Sequence, residues 1–572
     1  MYTLAHLLQR NFAEDPERPA VHLLYPRQPD FTLTHRALMQ GAAGYARALE
    51  AAGIGPGEVV ILILQHGEAL VHSFFGAILH GAIPSIMPFL TEKLAPDKYR
   101  QDLAALVEVT RPAAVVTYPE FEPEVRAALR PDSPVRAVLV STDIRPLSDP
   151  DFNSLSGLRR SPDDIVLLQH SSGTTGLQKG VALSHRAVLN QLDCYSNAIR
   201  LTRDDVIVSW LPLYHDMGLI AGFVMPILRR APLVLMSPFD WVRAPGRLMQ
   251  AVSQYRGTLS WLPNFAYNFC AQKTRARDLD GVDLSSWRAV VNCSEPMHWK
   301  SHHLFLERFE KHGLRPSALA TCYAMAENVF AVTQGGIDAP VVVDEVDQRS
   351  LLVDRIARPA PLPLLGGGDG GEGRLRLLSC GRPLPNARVR VLDDQRRDLP
   401  ERHLGEIALQ SDCMLTGYYH RDDATAKAFH EGWYLTGDLG YVADGEVYVT
   451  GRKKDLIIVG GKNVYPQDIE QLAGDVTGVH PGRIVAFGVF DEEAGTEEVV
   501  VVAEADTDDP AARRRLADEI RQRVTRGSDV ALRLVHVVGP RWLLKTSSGK
   551  IARSANREKY LAEQRGPGPM GL

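Results

Sequence analysis

Residues 167–185 read LLQHSSGTTGLQKGVALSH, and the rest of the chain takes its meaning from them. The apolar run Ile165-Val166-Leu167-Leu168 is short enough to be a buried strand. It breaks into Ser171-Ser172-Gly173-Thr174-Thr175-Gly176 and recovers, after Lys179-Gly180, as an apolar segment leading to Ser184-His185. Hydroxyls, glycines and one lysine in a single tight turn are what a polyphosphate needs: backbone N–H groups free to approach, short side-chain donors and a movable cation. The spacing is neither the Walker GxxxxGK(S/T) nor a GxGxxG dinucleotide turn. Flexible linkers of the same composition rarely sit between strand-like runs with a lysine inside them.

Outward from this loop, the chain is long enough, at 572 residues, for two or more domains. A formal net charge of -5 gives no bulk electrostatic reason to bind nucleic acid. The six cysteines (Cys194, Cys270, Cys293, Cys322, Cys380 and Cys413) have no CxxC spacing, which argues against a zinc site or a disulfide scaffold and suits a reducing, cytoplasmic setting. The opening residues lack a basic segment followed by an uninterrupted apolar core, so no secretion signal is expected. Residues 69–90 contain no Asp, Glu, Lys or Arg, but His72, Gly76, His80, Gly81, Pro84 and Pro88 interrupt them. A buried helix followed by a strand is expected there rather than a membrane span.

Strand-like and helical patterns alternate up to about Tyr118. Residues 34–52 form an amphipathic pattern with Thr34 as N-cap and Gly53 as stop, and residues 59–64 and 113–118 read as buried strands. Repeated alternation predicts an α/β fold built on doubly wound sheets. Further on, a strand-like run at 206–211 ends in a turn presenting His215 and Asp216, and residues 260–270 are aromatic and uncharged, core by periodicity. Asp438 stands on a turn, a charged cluster follows at 451–455, and Lys545 and Lys550 share a Gly/Ser turn near the end. Before Asp438, residues 334–379 are irregular, with a proline-rich stretch and a glycine run (Gly366 to Gly373) that reads as a surface loop.

The phrase at 171–179 resembles the signature loop of the adenylate-forming superfamily, which includes acyl-CoA synthetases, peptide-synthetase adenylation domains, luciferases and fatty acyl-AMP ligases. The later motifs resemble the superfamily's in the same order, and Pro263-Asn264-Phe265-Ala266-Tyr267 and Asn463-Val464-Tyr465-Pro466-Gln467-Asp468-Ile469-Glu470 resemble those of fatty acyl-AMP ligases. The resemblance implies that Ser171, Ser172, Gly173, Thr174, Thr175, Gly176 and Lys179 hold the ATP phosphates. It implies that His215 and Asp216 border the carboxylate substrate, while Trp261, Asn264 and Phe265 lie along an acyl tunnel. Ser294, Glu295, Pro296, Tyr323 and Ala326 would form the nucleotide pocket, with Tyr323 stacked on adenine and Glu327 holding Mg²⁺. Asp438 would accept hydrogen bonds from the ribose hydroxyls, Arg452 would face ribose and phosphate, Lys454 would be the hinge and Lys550 the catalytic lysine.

Departures from the family pattern are Ala324 for Gly, Ala326 for Thr, Leu544 for Pro and a bulky Trp261, which suggests a shortened or reshaped tunnel. The long interval between Glu327 and Cys380 looks like the insertion by which fatty acyl-AMP ligases hinder coenzyme A. The implied organisation is a large N-terminal domain, 1–451, of doubly wound sheets plus a β-subdomain, and a small mobile α+β domain, 452–572, carrying the catalytic lysine. A polar hinge between them would let the domains reorient without exposing an apolar interface. The implied activity is ATP- and Mg²⁺-dependent conversion of a carboxylic acid, a fatty acid by the apolar lining, to an acyl-adenylate, then transfer to the phosphopantetheine thiol of a holo acyl carrier protein. Transfer to coenzyme A is the alternative.

Overall fold

The computed structural model describes residues 2–88, 96–171, 179–360, 373–459, 462–491, 496–528, 530, 532, 534–546 and 549–564. Ser172, Gly173, Thr174, Thr175 and Gly176 of the loop, the glycines Gly366 to Gly371, Ser547-Ser548 and the tail beyond Gln564 lie outside them.

Two parallel sheets form the N-terminal half. Five strands of the larger run parallel, Leu319–Cys322, Ala289–Cys293, Leu259–Leu262, Ile207–Ser209 and Leu233–Met236, with Pro19–Leu24 added parallel and Phe31–Thr34 antiparallel at the far edge. The second sheet orders Ile83–Ile86, Val59–Ile63, Ala114–Thr117 and Ala137–Val140, all parallel. Parallel neighbours need crossovers, and helices supply them, so both faces are covered and the strands read as continuous apolar runs. The expected helix runs His35–Ala51, with the Thr34 hydroxyl accepting from Ala37 N. The uncharged stretch after it is a helix, Glu68–His80, then a strand, Ile83–Ile86, both buried. Among the described residues no helix is long and apolar enough to cross a membrane.

A third, antiparallel sheet is built from Ala387–Leu392, Gly405–Ser411, Trp433–Ala443 and Glu446–Arg452. The C-terminal part pairs Val479–Asp491, Thr496–Ala505 and Leu534–Val538 under the helices Pro466–Gly474 and Pro510–Gly527. The fold class expected from the sequence is therefore the one found: α/β with doubly wound sheets, a β-rich part and a smaller α+β end. Apart from Tyr465, the clustered buried apolar residues from Ile457 to Tyr560 form two clusters of their own, separate from the large N-terminal core.

One expectation needs correction. The turn Lys453–Asp455 is polar, but the seam beside it is not wholly so, because Tyr465 packs among Leu439, Tyr441 and Tyr448 and is only 4% exposed. Gly451 leaves room for this contact: a Cβ there would lie 3.1 Å from the Tyr465 ring.

Candidate active site

Four neighbouring parallel strands finish along one sheet edge, and the chain leaving each carries a polar group. Strand Ile207–Ser209 leads to His215 and Asp216, Leu259–Leu262 to Asn264 and Phe265, Ala289–Cys293 to Ser294 and Glu295, and Leu319–Cys322 to Tyr323 and Glu327. The carboxyl ends of parallel strands are where open α/β sheets bind ligands, so motifs more than a hundred residues apart meet here. The hairpin Ile165–Ser171 and Lys179–Ser184 approaches the same place, since Tyr418, paired with Val181, also reaches Glu327.

Three polar groupings make up the site. In the first, Tyr418 donates to Glu327 Oε1 at 2.9 Å, Tyr418 and Tyr434 hydroxyls are 3.0 Å apart, and Lys179 Nζ stands 4.6 Å over the Tyr418 ring. Burial pushes the Glu327 carboxyl above its ordinary range, the Tyr418 bond opposes this, and the Asp216 charge adds to it. In the second, Tyr323 donates to Asp438 Oδ2 at 2.6 Å and Arg452 Nε sits 3.1 Å from Oδ1, the two partners facing each other across an antiparallel ladder. The Asp438 charge, more than any other cause, holds the Arg452 guanidinium above its ordinary value. In the third, Lys550 Nζ donates to the Ser294 carbonyl at 2.7 Å, and His215 Nδ1 lies 2.5 Å from Asp216 Oδ1. Burial alone would raise Asp216, but His215 and then Lys550 outweigh it and hold the carboxyl below its usual range.

The groupings feel one another: Glu327 acts on Arg452 and Asp216 on Glu327. Two of the described non-glycine residues with positive φ stand at the same edge. Ser294 has φ 70° and Val329, two residues past Glu327, has φ 62°, an outlying value for a β-branched side chain. Asn328 steadies the second turn by donating to Ala331 O at 2.7 Å and accepting from Ser411 Oγ.

The family described as "AMP-binding enzyme" matches residues 8–419. The chain belongs to it. Among curated AMP-binding relatives, the long-chain-fatty-acid–AMP ligase FadD26 of Mycobacterium bovis is 31% identical, over 97% of each chain. The medium-chain-fatty-acid–[acyl-carrier-protein] ligase JamA of Moorena producens is 30% identical over 98% of this chain and 95% of its own. A solved structure from studies of the fatty acyl-adenylate ligases of E. coli and L. pneumophila superposes with a TM-score of 0.88, at 28% identity and covering 99% and 98% of the two chains.

Within this AMP-binding fold, His215, Asp216, Ser294, Tyr323, Glu327, Asp438, Arg452, Lys550 and Lys179 come together as one continuous site, with Ala326 buried beside Glu327. Ser171 ends its strand opposite Lys179. Asn264 uses its polar atoms internally, donating to Ser301 Oγ at 3.2 Å and accepting from Asn292 Nδ2 and His298 N, each at 3.1 Å. Glu295 accepts from Phe265 N at 3.0 Å and so ties two strand ends together, while Pro296 is exposed. The Phe265 ring stands edge-on to the stacked Trp210 and Trp241. Trp261 is buried and donates to the Tyr195 hydroxyl. Lys454 lies in the turn after Arg452, and burial, then Arg452, lower its ammonium pKa. Tyr418 and Tyr434 were not foreseen. Tyr418 sits in Thr416-Gly417-Tyr418-Tyr419, where the glycine before a tyrosine pair was the available signal.

Proposed function

We propose that the protein activates a carboxylic acid of the fatty class with ATP, releasing pyrophosphate, and passes the acyl group to the phosphopantetheine thiol of an acyl carrier protein. The observation that carries the reading is the Lys550 ammonium at the Ser294 carbonyl, on the same sheet edge as Glu327, Asp438 and Arg452. A carboxylate cannot approach a triphosphate unless charge is offset. Lys550 and Lys179 supply cations, and the donors of residues 171–176 supply N–H and hydroxyl groups. Glu327, a carboxylate held above its range among tyrosine hydroxyls and near Asp216, suits Mg²⁺, which takes one or two carboxylates and completes its shell with phosphate oxygens and water. When bound, the ion would neutralise phosphate charge.

A carboxylate oxygen bonds to the α-phosphorus as the bond to the β-phosphate oxygen breaks, and pyrophosphate leaves with the electron pair. Tyr323 offers adenine a ring face, and Asp438 accepts from the ribose hydroxyls while Arg452 fixes the carboxylate that does so. In the second step the thiol sulfur bonds to the acyl carbon, AMP leaves with the electron pair of the acyl–oxygen bond, and the thiol proton passes to solvent. Residues 1–451 and 452–572 would act as two domains, reorienting at Lys454 between the steps.

Support for a carrier protein over coenzyme A comes from the relative JamA by name and from the flanks of the long interval. Strands Val343–Asp347 and Arg374–Leu378 pair antiparallel and seat against the helix Trp299–Phe309, where Arg376 lies 4.7 Å over the Trp299 ring. They therefore sit close to the Ser294 edge, with His298 bridged to Leu377. The test is one reaction containing ATP, Mg²⁺ and a panel of acids, with products weighed in the presence of coenzyme A or a holo carrier protein. Carrier loading without acyl-CoA is expected; ready acyl-CoA formation would make the enzyme a synthetase, and absence of pyrophosphate exchange with every acid would sink the reading.

A further inference from the structure

An acid whose carboxylate lies by Lys550 and His215 must send its chain away from the charged groups into apolar surroundings. What lies next to that edge is a filled layer. Trp261 pairs with Val291, and Cys293 with Cys322, so Trp261, Cys293 and Cys322 share one face of the sheet. The element covering this face follows His215-Asp216 directly. It is a π-helical segment, Met217–Val224, a form common at functional sites. Its contact with the face is close: Ser294 Oγ is 3.9 Å from Met217 Sδ, and a Cβ on Gly222 would come within 2.7 Å of Ser209 Oγ.

Into this layer Trp261 places its indole, 1% exposed, with Nε1 donating to the Tyr195 hydroxyl at 2.7 Å. Tyr195 donates onward to Gln334 Oε1 at 2.9 Å, and Gln334 Nε2 is anchored on the backbone carbonyls of Thr321 and Gly335 at 3.0 and 2.8 Å. The Phe330 ring meets Tyr195 edge-on. An indole held this way does not swing aside cheaply, because a turned ring would leave its buried N–H unpaired, costing about 1–3 kcal/mol.

We infer that the hydrogen-bonded chain Trp261–Tyr195–Gln334 is the closed floor of the acid pocket and that the acid is short-chained. Trp261 is the specificity-determining residue, and Tyr195 and Gln334 are positioning residues that hold it. The inference rests on the proposed activation reaction and narrows its substrate class, away from the long chains in the name of the relative FadD26.

The test follows ATP–pyrophosphate exchange with straight-chain acids from butanoate to hexadecanoate, for the native enzyme and for Trp261→Gly, Trp261→Val and Tyr195→Phe. The native enzyme should favour the short acids. In Trp261→Gly the dodecanoate-to-butanoate ratio of kcat/KM should rise by about tenfold or more, the scale on which apolar pockets discriminate chain length. Trp261→Val keeps a strand-forming side chain and should move the ratio in the same direction should the glycine variant fail to fold. Tyr195→Phe, which frees the indole without removing it, should produce a smaller shift, seen mainly in KM for the longer acids. A native preference for long acids, or an unchanged ratio in both Trp261 variants, would overturn the inference and leave the activation reading standing. Failure of exchange with every acid in the native enzyme would remove the reading, and the inference with it.

Discussion

Lys550 donates to a carbonyl 256 positions earlier in the chain, which makes it the residue most dependent on the fold for its role. With Lys550→Ala, pyrophosphate exchange should fall about 10²–10³-fold, near 3 kcal/mol, the usual cost of one preorganised charge contact. Thioester formation from a synthetic acyl-adenylate should change far less, and equal losses in both assays would contradict the role. Glu327 supplies a pH prediction. Burial raises its carboxyl, so the ionised form that holds a cation is lost as pH falls through that raised value, and kcat/KM should drop on the acid side. The Tyr418 hydroxyl favours the ionised form; Tyr418→Phe should therefore move the acid limb upward by about 1–2 pH units, the worth of a hydrogen bond to a charge. A limb that stays put would assign the titration elsewhere. Glu327, Asp438 and Lys550 were readable because each stands at a fixed place in an ordered motif. Tyr418, Tyr434 and Tyr195 were not, since a tyrosine in an apolar setting reads as core until its hydroxyl is seen to have a partner.

Elements explain why the motifs converge. The strand and helix pattern up to Tyr118 was legible because buried parallel strands are continuous apolar runs, and helix His35–Ala51 begins at a threonine cap. The segment after Asp216 was legible only as apolar, because hydrophobic periodicity does not separate a π-helical turn from an α-helix or a strand over eight residues. In the C-terminal part, Arg553 opens the last helix and ties three elements: Nη1 lies 2.8 Å from Asp455 Oδ2, Nη2 lies 2.7 and 2.9 Å from the two Glu470 oxygens, and Nε donates to Ala486 O. Both ends of these pairs are largely buried, at 16% exposure for Arg553 and 14% and 21% for its partners. Burial pushes the Glu470 carboxyl up and Arg553 works against that push. Arg553→Leu would leave both carboxylates without their guanidinium and should cost about 3 kcal/mol. Urea unfolding of the full chain should show an earlier first transition, and Arg553→Leu with Glu470→Gln should regain part of the loss. A double variant no more stable than the single one would point to lost packing instead.

At the scale of the molecule, polar and apolar contacts of different strength join the C-terminal part to the rest of the chain among the described residues. Lys550 bonds to Ser294, Lys300 Nζ lies 3.0 Å from Asp475 Oδ2, and Tyr465 packs against the antiparallel sheet. The two polar contacts exchange readily with water, whereas uncovering Tyr465 costs on the order of 2 kcal/mol. On the proposed two-step reading, reorientation between half-reactions would be opposed by this apolar packing, in which Leu456 joins Tyr465 and which composition did not reveal, because Tyr465 sits in a motif that reads as a helix start. On that reading the turn Lys453–Asp455 would absorb the change, and a proline introduced there would fix φ. Lys454→Pro should leave pyrophosphate exchange nearly intact, since the arrangement that delivers Lys550 already exists. Transfer of the acyl group to a holo carrier protein should fall by about tenfold or more, at least ~1.4 kcal/mol on that step. Parallel exchange and carrier-loading assays on one preparation decide it: a loss confined to loading assigns Lys454 as the hinge, whereas an equal loss in both means that proline has merely disturbed the turn beside Arg452.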